Sequence, residues 1–189
     1  KIKWIGTTNG LFYIKSTEPQ KFKLNITPNS IVGNTTYTWI ASTSEGILQL
    51  QGDKIVQKIS SANGLASNNI KKLVLRKNLL FVSHDKGIQV INTKTNDIQI
   101  INTTDGLLSN RIVDFDVFEN KLSVITNKGL QTLLLDSIRS NKTMPYLELT
   151  HVLVNDSIYS LQQQDFVYSQ NQFLFEFKAK AYKHQNKLN

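Results

Sequence analysis

Leu80-Phe81-Val82-Ser83-His84-Asp85-Lys86-Gly87-Ile88-Gln89-Val90-Ile91 decides the fold, because the chain contains it four times in altered form. Two copies precede it: Trp4-Ile5-Gly6-Thr7-Thr8-Asn9-Gly10-Leu11-Phe12-Tyr13-Ile14 and Trp39-Ile40-Ala41-Ser42-Thr43-Ser44-Glu45-Gly46-Ile47-Leu48-Gln49-Leu50. One follows it: Leu122-Ser123-Val124-Ile125-Thr126-Asn127-Lys128-Gly129-Leu130-Gln131-Thr132-Leu133. The anchoring glycines at 10, 46, 87 and 129 are 36, 41 and 42 residues apart. A second motif keeps the same phase. Asn63-Gly64-Leu65-Ala66-Ser67-Asn68-Asn69-Ile70 returns 42 residues later as Asp105-Gly106-Leu107-Leu108-Ser109-Asn110-Arg111-Ile112, and Pro28-Asn29-Ser30-Ile31 reads as a degenerate earlier copy. Two motifs sharing one period define a repeat protein.

Within a period the pattern is that of strands. Residues 70–76, 79–84, 87–93 and 97–103 are short aliphatic or β-branched runs with partial alternation. Between them lie the polar turns Arg76-Lys77-Asn78, His84-Asp85-Lys86-Gly87 and Thr95-Asn96-Asp97, with glycine free to take positive φ. No stretch carries an amphipathic helical stripe. Four short strands per ~42 residues is the pattern of a propeller blade. The first copy enters at a second strand, blades follow at about 31–60 and 70–103, and the last shows strands at 112–118, 121–126 and 129–135. The expected fold is all-β: a partial β-propeller of about three and a half four-stranded blades, spanning residues 1–136. Propellers usually close with at least about four blades, so the ring is expected to be incomplete.

After residue 136 the period stops. Residues 137–145 are polar, contain Met144 and Pro145, and read as a linker. A strand is then expected from Tyr146 into an Asn155-Asp156 turn. A second follows over Gln172–Ala179, where Phe173, Phe175 and Phe177 alternate as in a half-buried strand. Residues 146–189 are thus expected to begin a β-sandwich, and the chain to be two incomplete modules of a longer protein.

Composition narrows the function. The chain of 189 residues has no cysteine, which removes disulfide scaffolds, thiolate metal sites and cysteine nucleophiles. No apolar run approaches the roughly 18 residues of a membrane helix, and residues 1–20 lack the apolar core of a signal peptide. The net charge of +8 first suggests nucleic acid. However, the cations are 19 scattered lysines with only Arg76, Arg111 and Arg139, and arginine is the residue of bidentate phosphate and guanine recognition. The charge reads as solvated surface, and no nucleic-acid partner is expected.

Chemistry is sparse. His84, His151 and His184 stand alone without a second ligand at metal spacing, so they read as turn or surface residues, with no metal and no cofactor. Asp114 and Asp116 share a strand face, which suits an acid–base pair, although a solvated or turn-capping face is the favoured reading. The clusters Thr7-Thr8, Ser42-Thr43-Ser44 and Thr103-Thr104 lack a nucleophile elbow and fit strand ends. Trp4 and Trp39 can either stack against a sugar ring or, the favoured reading, pack between blades. No catalytic residue is nominated, and the ligand-binding residues stay unknown at this level.

The repeats resemble the two-component regulator propeller (Reg_prop) pattern, roughly L-x-S-N-x-V, strand, D-x-x-G, L-W-I-G-T-x-x-G-L. Leu65-Ala66-Ser67-Asn68-Asn69-Ile70 with Leu80–Ile88 carries it, as does Trp4-Ile5-Gly6-Thr7-Thr8-Asn9-Gly10-Leu11; the tryptophan becomes Phe81 and Ser123 in the later copies. Leu149–Asn155 and Asn171–Ala179 are similar to the opening strands of the Y_Y_Y domain, a β-sandwich that commonly follows such repeats. The resemblance implies the periplasmic sensor region of a two-component histidine kinase, simple or hybrid, a group that includes the hybrid systems of Bacteroidetes-like bacteria. The parent would be membrane-anchored and homodimeric, would bind a small-molecule ligand such as an oligosaccharide, and would carry its kinase outside this chain. Other readings are a protein-interaction scaffold and a glycan-active propeller enzyme.

Overall fold

The computed structural model describes residues 2–24, 26–137, 146–159 and 166–180. The chain divides into two compact units, Lys1–Arg139 and Ser140–Asn189. Residues 138–145, which hold most of the expected linker, lie outside the described residues, as does His184.

The first unit is four antiparallel sheets in chain order. The first holds β1 (Lys3–Thr7), β2 (Gly10–Ile14) and β3 (Pro19–Lys21). The second holds β4 (Pro28–Gly33), β5 (Tyr37–Ser42), β6 (Ile47–Gln51) and β7 (Lys54–Ile59). The third holds β8 (Ile70–Arg76), β9 (Leu79–His84), β10 (Gly87–Asn92) and β11 (Ile98–Ile101). The fourth holds β12 (Ile112–Phe118), β13 (Lys121–Thr126) and β14 (Gly129–Leu134). Each is a meander whose strands pair with their chain neighbours. The fold is all-β, a partial propeller of four blades. The first blade enters at its second strand, since Trp4 on β1, Trp39 on β5 and Phe81 on β9 occupy one register position.

Both faces of an inner blade are apolar, and each is buried by a neighbour. Trp39, Ala41 and Ile47 of the second blade pack against Leu73, Leu80, Val82 and Ile91 of the third. Val74, Phe81 and Ile88 on the other face of the third pack against Phe115, Val117, Leu122 and Val124 of the fourth. Ile40, Leu48 and Leu50 pack back against Leu11 and Phe22 of the first. Trp39 and Phe81 are each 1% exposed. The triplets on the forward faces, Val32–Trp39–Gln49 and Val74–Phe81–Val90, become Asp116–Ser123–Thr132 in the fourth blade. The forward face of that blade leaves Ile125 and Leu130 exposed.

The tight turn between second and third strands requires glycine. Gly87 has φ of +121°, and a Cβ there would stand 2.5 Å from the Ile101 carbonyl oxygen at the end of the outer strand. Only a residue without a side chain lets the outer strand close over the turn.

Pro28-Asn29-Ser30-Ile31 is not an early copy of the loop motif. Pro28 opens β4 opposite Ser42, as Ile70 opens β8 opposite His84 and Ile112 opens β12 opposite Thr126, so the sequence alignment was out of register by three residues. In the true copies the Ile70 and Ile112 N–H groups donate to the Asn68 and Asn110 carbonyls, at 3.1 Å each. Proline has no N–H to give.

The second unit is a three-stranded antiparallel sheet in the order β16 (Ser157–Tyr159), β15 (Tyr146–Val154), β17 (Phe173–Lys180), consistent with one layer of the expected sandwich. Phe173 and Phe175 stand opposite Val154 and Val152 and stack at 6.4 Å. The half-buried strand expected here is instead exposed, with Phe173, Phe175 and Phe177 at 41%, 53% and 57%. Phe166 lies edge-on to Phe173 at 5.0 Å, and on the same face Val152 and Val154 of β15 are buried, so the sheet covers its centre better than the phenylalanines of its edge strand.

Gly87→Ala is expected to lower stability by about 2–3 kcal/mol, combining left-handed strain with the carbonyl clash. Gly106→Ala, at φ of +103° with open space around it, should lose about 1 kcal/mol from strain alone. Chemical denaturation of both variants checks the ranking.

Candidate functional site

Four antiparallel strands return the chain to the end from which it started. The turns between second and third strands and the crossovers between blades therefore gather at one end of the propeller, here called the loop end. At each such turn a side chain accepts the N–H two or three residues on. Thr7 Oγ1 accepts from Asn9 at 3.2 Å, Ser42 Oγ from Glu45 at 2.7 Å and Thr126 Oγ1 from Lys128 at 3.1 Å. The Ser/Thr clusters containing Thr7 and Ser42 thus serve turns. In the third blade the acceptor is an imidazole: His84 Nδ1 takes the Lys86 N–H at 3.1 Å. His84 is completely buried, and burial holds its pKa below the ordinary value of 6.5 while Asp85 pulls upward.

The crossover motif builds one compact loop twice. Ser61–Asn63 and Thr103–Asp105 are short 3-10 turns ending at Gly64 and Gly106 with positive φ, so Thr103-Thr104 also lies in a turn. Leu65 and Leu107 enter the core, each 4% exposed. Asn68 Oδ1 accepts the Ser61 N–H at 2.7 Å, and Asn110 Oδ1 the Thr103 N–H at 2.9 Å. Two glutamines that the sequence analysis passed over then pin the loops to the following blade. Gln89 donates to the Gly64 carbonyl at 3.0 Å and accepts from the Ala66 N–H at 2.8 Å. Gln131 does the same for Gly106 at 2.9 Å and Leu108 at 2.5 Å. The signal was a glutamine 25 residues after each motif glycine; the second blade, which no such motif precedes, has Leu48 at the matching place.

The inner strands are stitched across the blade junctions. Asn29 Nδ2 donates to the Ile70 carbonyl at 2.9 Å, the Leu73 N–H to Ser30 Oγ at 3.0 Å, and Arg76 Nε to the Val117 carbonyl at 2.6 Å. Asp114 pairs with Lys72 at 2.7 Å and Asp116 with Arg76 at 3.5 Å. The hydrogen bond from Lys72 holds the Asp114 carboxyl below its usual range. The two aspartates are partners of cations across a junction, and a carboxyl held ionised is poorly placed to act as a general acid. In the second unit His151 is exposed and lies 3.4 Å from Glu176. Among the described residues no three His, Cys, Asp or Glu side chains gather as a metal site.

The two tryptophans separate. Trp39 is buried between the second and third blades, whereas Trp4 joins Tyr13 and Phe22 in a cluster with centroids 5.4 to 6.4 Å apart. Tyr13 and Phe22 open onto a groove of about 640 Å3 between the first and second blades, with Lys23, Asp53, Lys54 and Ile55 also lining it. Lys15 lies 5.5 Å from the centre of the Tyr13 ring and pairs with Asp53 at 2.7 Å, joining the two blades. A second cleft of about 790 Å3 lies between the third and fourth blades at the end opposite the loops. Its rim carries Lys77, Asn78, Glu119 and Asn120 over Phe81 and Val117. Both clefts carry charged groups, but Phe81 in the second is 1% exposed, whereas the first sets two aromatic walls, Tyr13 and Phe22, beside Lys23, Asp53 and Lys54, so it is the candidate ligand site.

By these features the first unit is an open arc of a β-propeller. Solved structures with the same architecture include the extracellular domain described for the hybrid two-component system BT4673 of B. thetaiotaomicron, with TM-score 0.56, 21% identity, and 92% of this chain aligned to 26% of that one. Another is the extracellular domain described for the hybrid two-component system BT3049 of the same organism, with TM-score 0.57, 18% identity, and 97% of this chain aligned to 34% of that one. PorZ, a surface component of the type-IX secretion system of Porphyromonas gingivalis, aligns with TM-score 0.54 and 15% identity over 77% of this chain and 26% of its own. The chain therefore spans about a quarter to a third of the length of these structures. No protein-family model matches the chain, and no curated protein matches it significantly.

Gln89→Leu leaves the Gly64 carbonyl and the Ala66 N–H without their partner and is expected to cost about 1–3 kcal/mol. Faster exchange of the Ala66 amide would accompany the loss. Lys72→Met should raise the titration midpoint of Asp114, read by NMR. The share of stability that Asp114 carries is present above its ordinary value of 3.8 and lost as pH falls toward the lowered one.

Proposed function

We propose that this chain is part of the extracytoplasmic sensing region of a hybrid two-component sensor histidine kinase. Its blades recognise a small ligand, an oligosaccharide, in the groove walled by Tyr13 and Phe22. The observation carrying this reading is the order of modules, a propeller arc and then a separate β-unit, aligned over 92–97% of the chain with two extracellular domains of such systems. The Reg_prop and Y_Y_Y resemblances of the sequence support the same assignment. Aromatic rings suit the apolar faces of sugars, and Lys23, Asp53 and Lys54 supply polar groups for hydroxyls.

In this reading the fragment is not an enzyme; kinase and membrane anchor belong to other parts of the polypeptide. Among the described residues no helix is long and apolar enough to cross a membrane. The sensing region sits in the periplasm as a homodimer, and ligand capture shifts the second units of the dimer to relay the signal. The likeness to PorZ favours a second reading, a scaffold that binds a partner protein.

Calorimetry against a panel of neutral and acidic oligosaccharides tests the proposal. Binding by one class, weakened about tenfold by Tyr13→Ala, is the expected result. Heat from no sugar, with a stable protein complex formed instead, would overturn it in favour of the scaffold.

A further inference from the structure

One buried group at the loop end has no counterpart in the other blades. Where Thr7, Ser42 and Thr126 place hydroxyls, the third blade places the imidazole of His84. A hydroxyl can accept the turn N–H and donate elsewhere at any ordinary pH. In its neutral form an imidazole accepts through one nitrogen and donates through the other. Because Nδ1 accepts from Lys86, the proton of neutral His84 sits on Nε2, and Nε2 is buried without a hydrogen-bond partner.

A second proton has to go to Nδ1, which faces the Lys86 N–H. Two donors would then confront each other inside a seat that is 0% exposed. The surroundings are mixed. Across the sheet His84 stands opposite Ile70 on β8 and Gly87 on β10, neither of which is ionisable. Lys71, beside Ile70, directs its Nζ to the Ile112 carbonyl of the next blade. Gln89 on β10 favours the cation, but its amide already holds the crossover loop at Gly64 and Ala66. Asp85 attracts the cation and Lys86 repels it. Asp85 in turn accepts a hydrogen bond from Ser67, whose Oγ takes the Asn69 N–H at 3.2 Å.

We propose that His84 is a proton switch for the loop end of the third blade: protonation expels the ring and releases the 84–87 turn and the 64–69 crossover together, leaving the other blade ends in place. The turn is released because Nδ1 no longer accepts. The crossover follows because Asp85 turns from Ser67 toward the imidazolium. The device would make one loop pair of an otherwise rigid face respond to acid. It stands independently of what ligand the groove takes.

The imidazole titrates below 6.5 when seated, so the opened form takes up its proton first as pH falls. Stability of the seated state is complete above 6.5 and declines as pH drops from there toward the lowered value. Hydrogen exchange of the unaltered chain, corrected for intrinsic rates, tests this with internal controls. Between pH 7 and 5 the Lys86 and Ala66 amides should lose about tenfold in protection, one tenfold step per pH unit below the transition. The Glu45 and Lys128 amides, held by Ser42 and Thr126, should not. The full chain with His84→Thr should then lose about 2–4 °C less in melting temperature than the unaltered chain over the same range. Parallel behaviour of all four amides, or equal acid sensitivity of the unaltered chain and the Thr variant, would overturn the proposal. If the Thr variant fails to fold, the amide comparison decides alone.

Discussion

The structure of the first unit depends on one contact made repeatedly: a bulky side chain at the middle of a second strand buried against the next sheet. A four-stranded meander has two faces and cannot cover either by itself. Trp39 meets the third blade and Phe81 the fourth, each almost entirely removed from water. Losing either ring would be expected to cost about 3–5 kcal/mol, a large part of the 5–15 kcal/mol that typically holds a domain together. The stitches between inner strands, such as Asn29 to Ile70 and Arg76 to Val117, add direction to that burial by fixing how far one blade is displaced along the next.

Packing of this kind leaves the loop end to be organised separately. The crossovers carry many backbone polar groups, and these are satisfied by Asn68, Asn110, Gln89 and Gln131 rather than by a ladder. The outcome is a set of short, well-braced loops, the form of scaffold on which recognition is commonly built. The groove at Tyr13 arises differently. It opens beside β3, a strand of only three residues, which leaves the Trp4–Tyr13–Phe22 cluster partly uncovered.

Much of this was legible in the sequence because repetition amplifies a weak signal. The glycines at 10, 46, 87 and 129 all take positive φ, and the expected strand bounds from residue 70 onward lie within two residues of those observed. Interactions between residues far apart were less legible. The glutamine clamps join positions 25 apart, and nothing in the local pattern of Gln89 distinguishes it from any strand glutamine. The Pro28 segment misled because shared letters were aligned where only pairing could set the register. Aromatic content was visible, and Trp39 packs between blades as favoured, but Trp4 and Trp39 were the rings weighed for a ligand when it is Tyr13 and Phe22 that line the groove. The alternating phenylalanines of β17 correctly marked a strand, yet periodicity reports that a face is apolar and not that something covers it.

The polar triplet Asp116–Ser123–Thr132 has a consequence for how such an array grows. The third blade presents Val74–Phe81–Val90 forward and an apolar surface behind, so copies of it inserted by gene duplication would stack on one another. The fourth blade is matched behind and mismatched ahead. Copies of that blade would meet a neighbour's core with a carboxylate and two hydroxyls, and the stack would not propagate. Within a one-dimensional assembly of near-identical units, this single sheet gives the series a polarity.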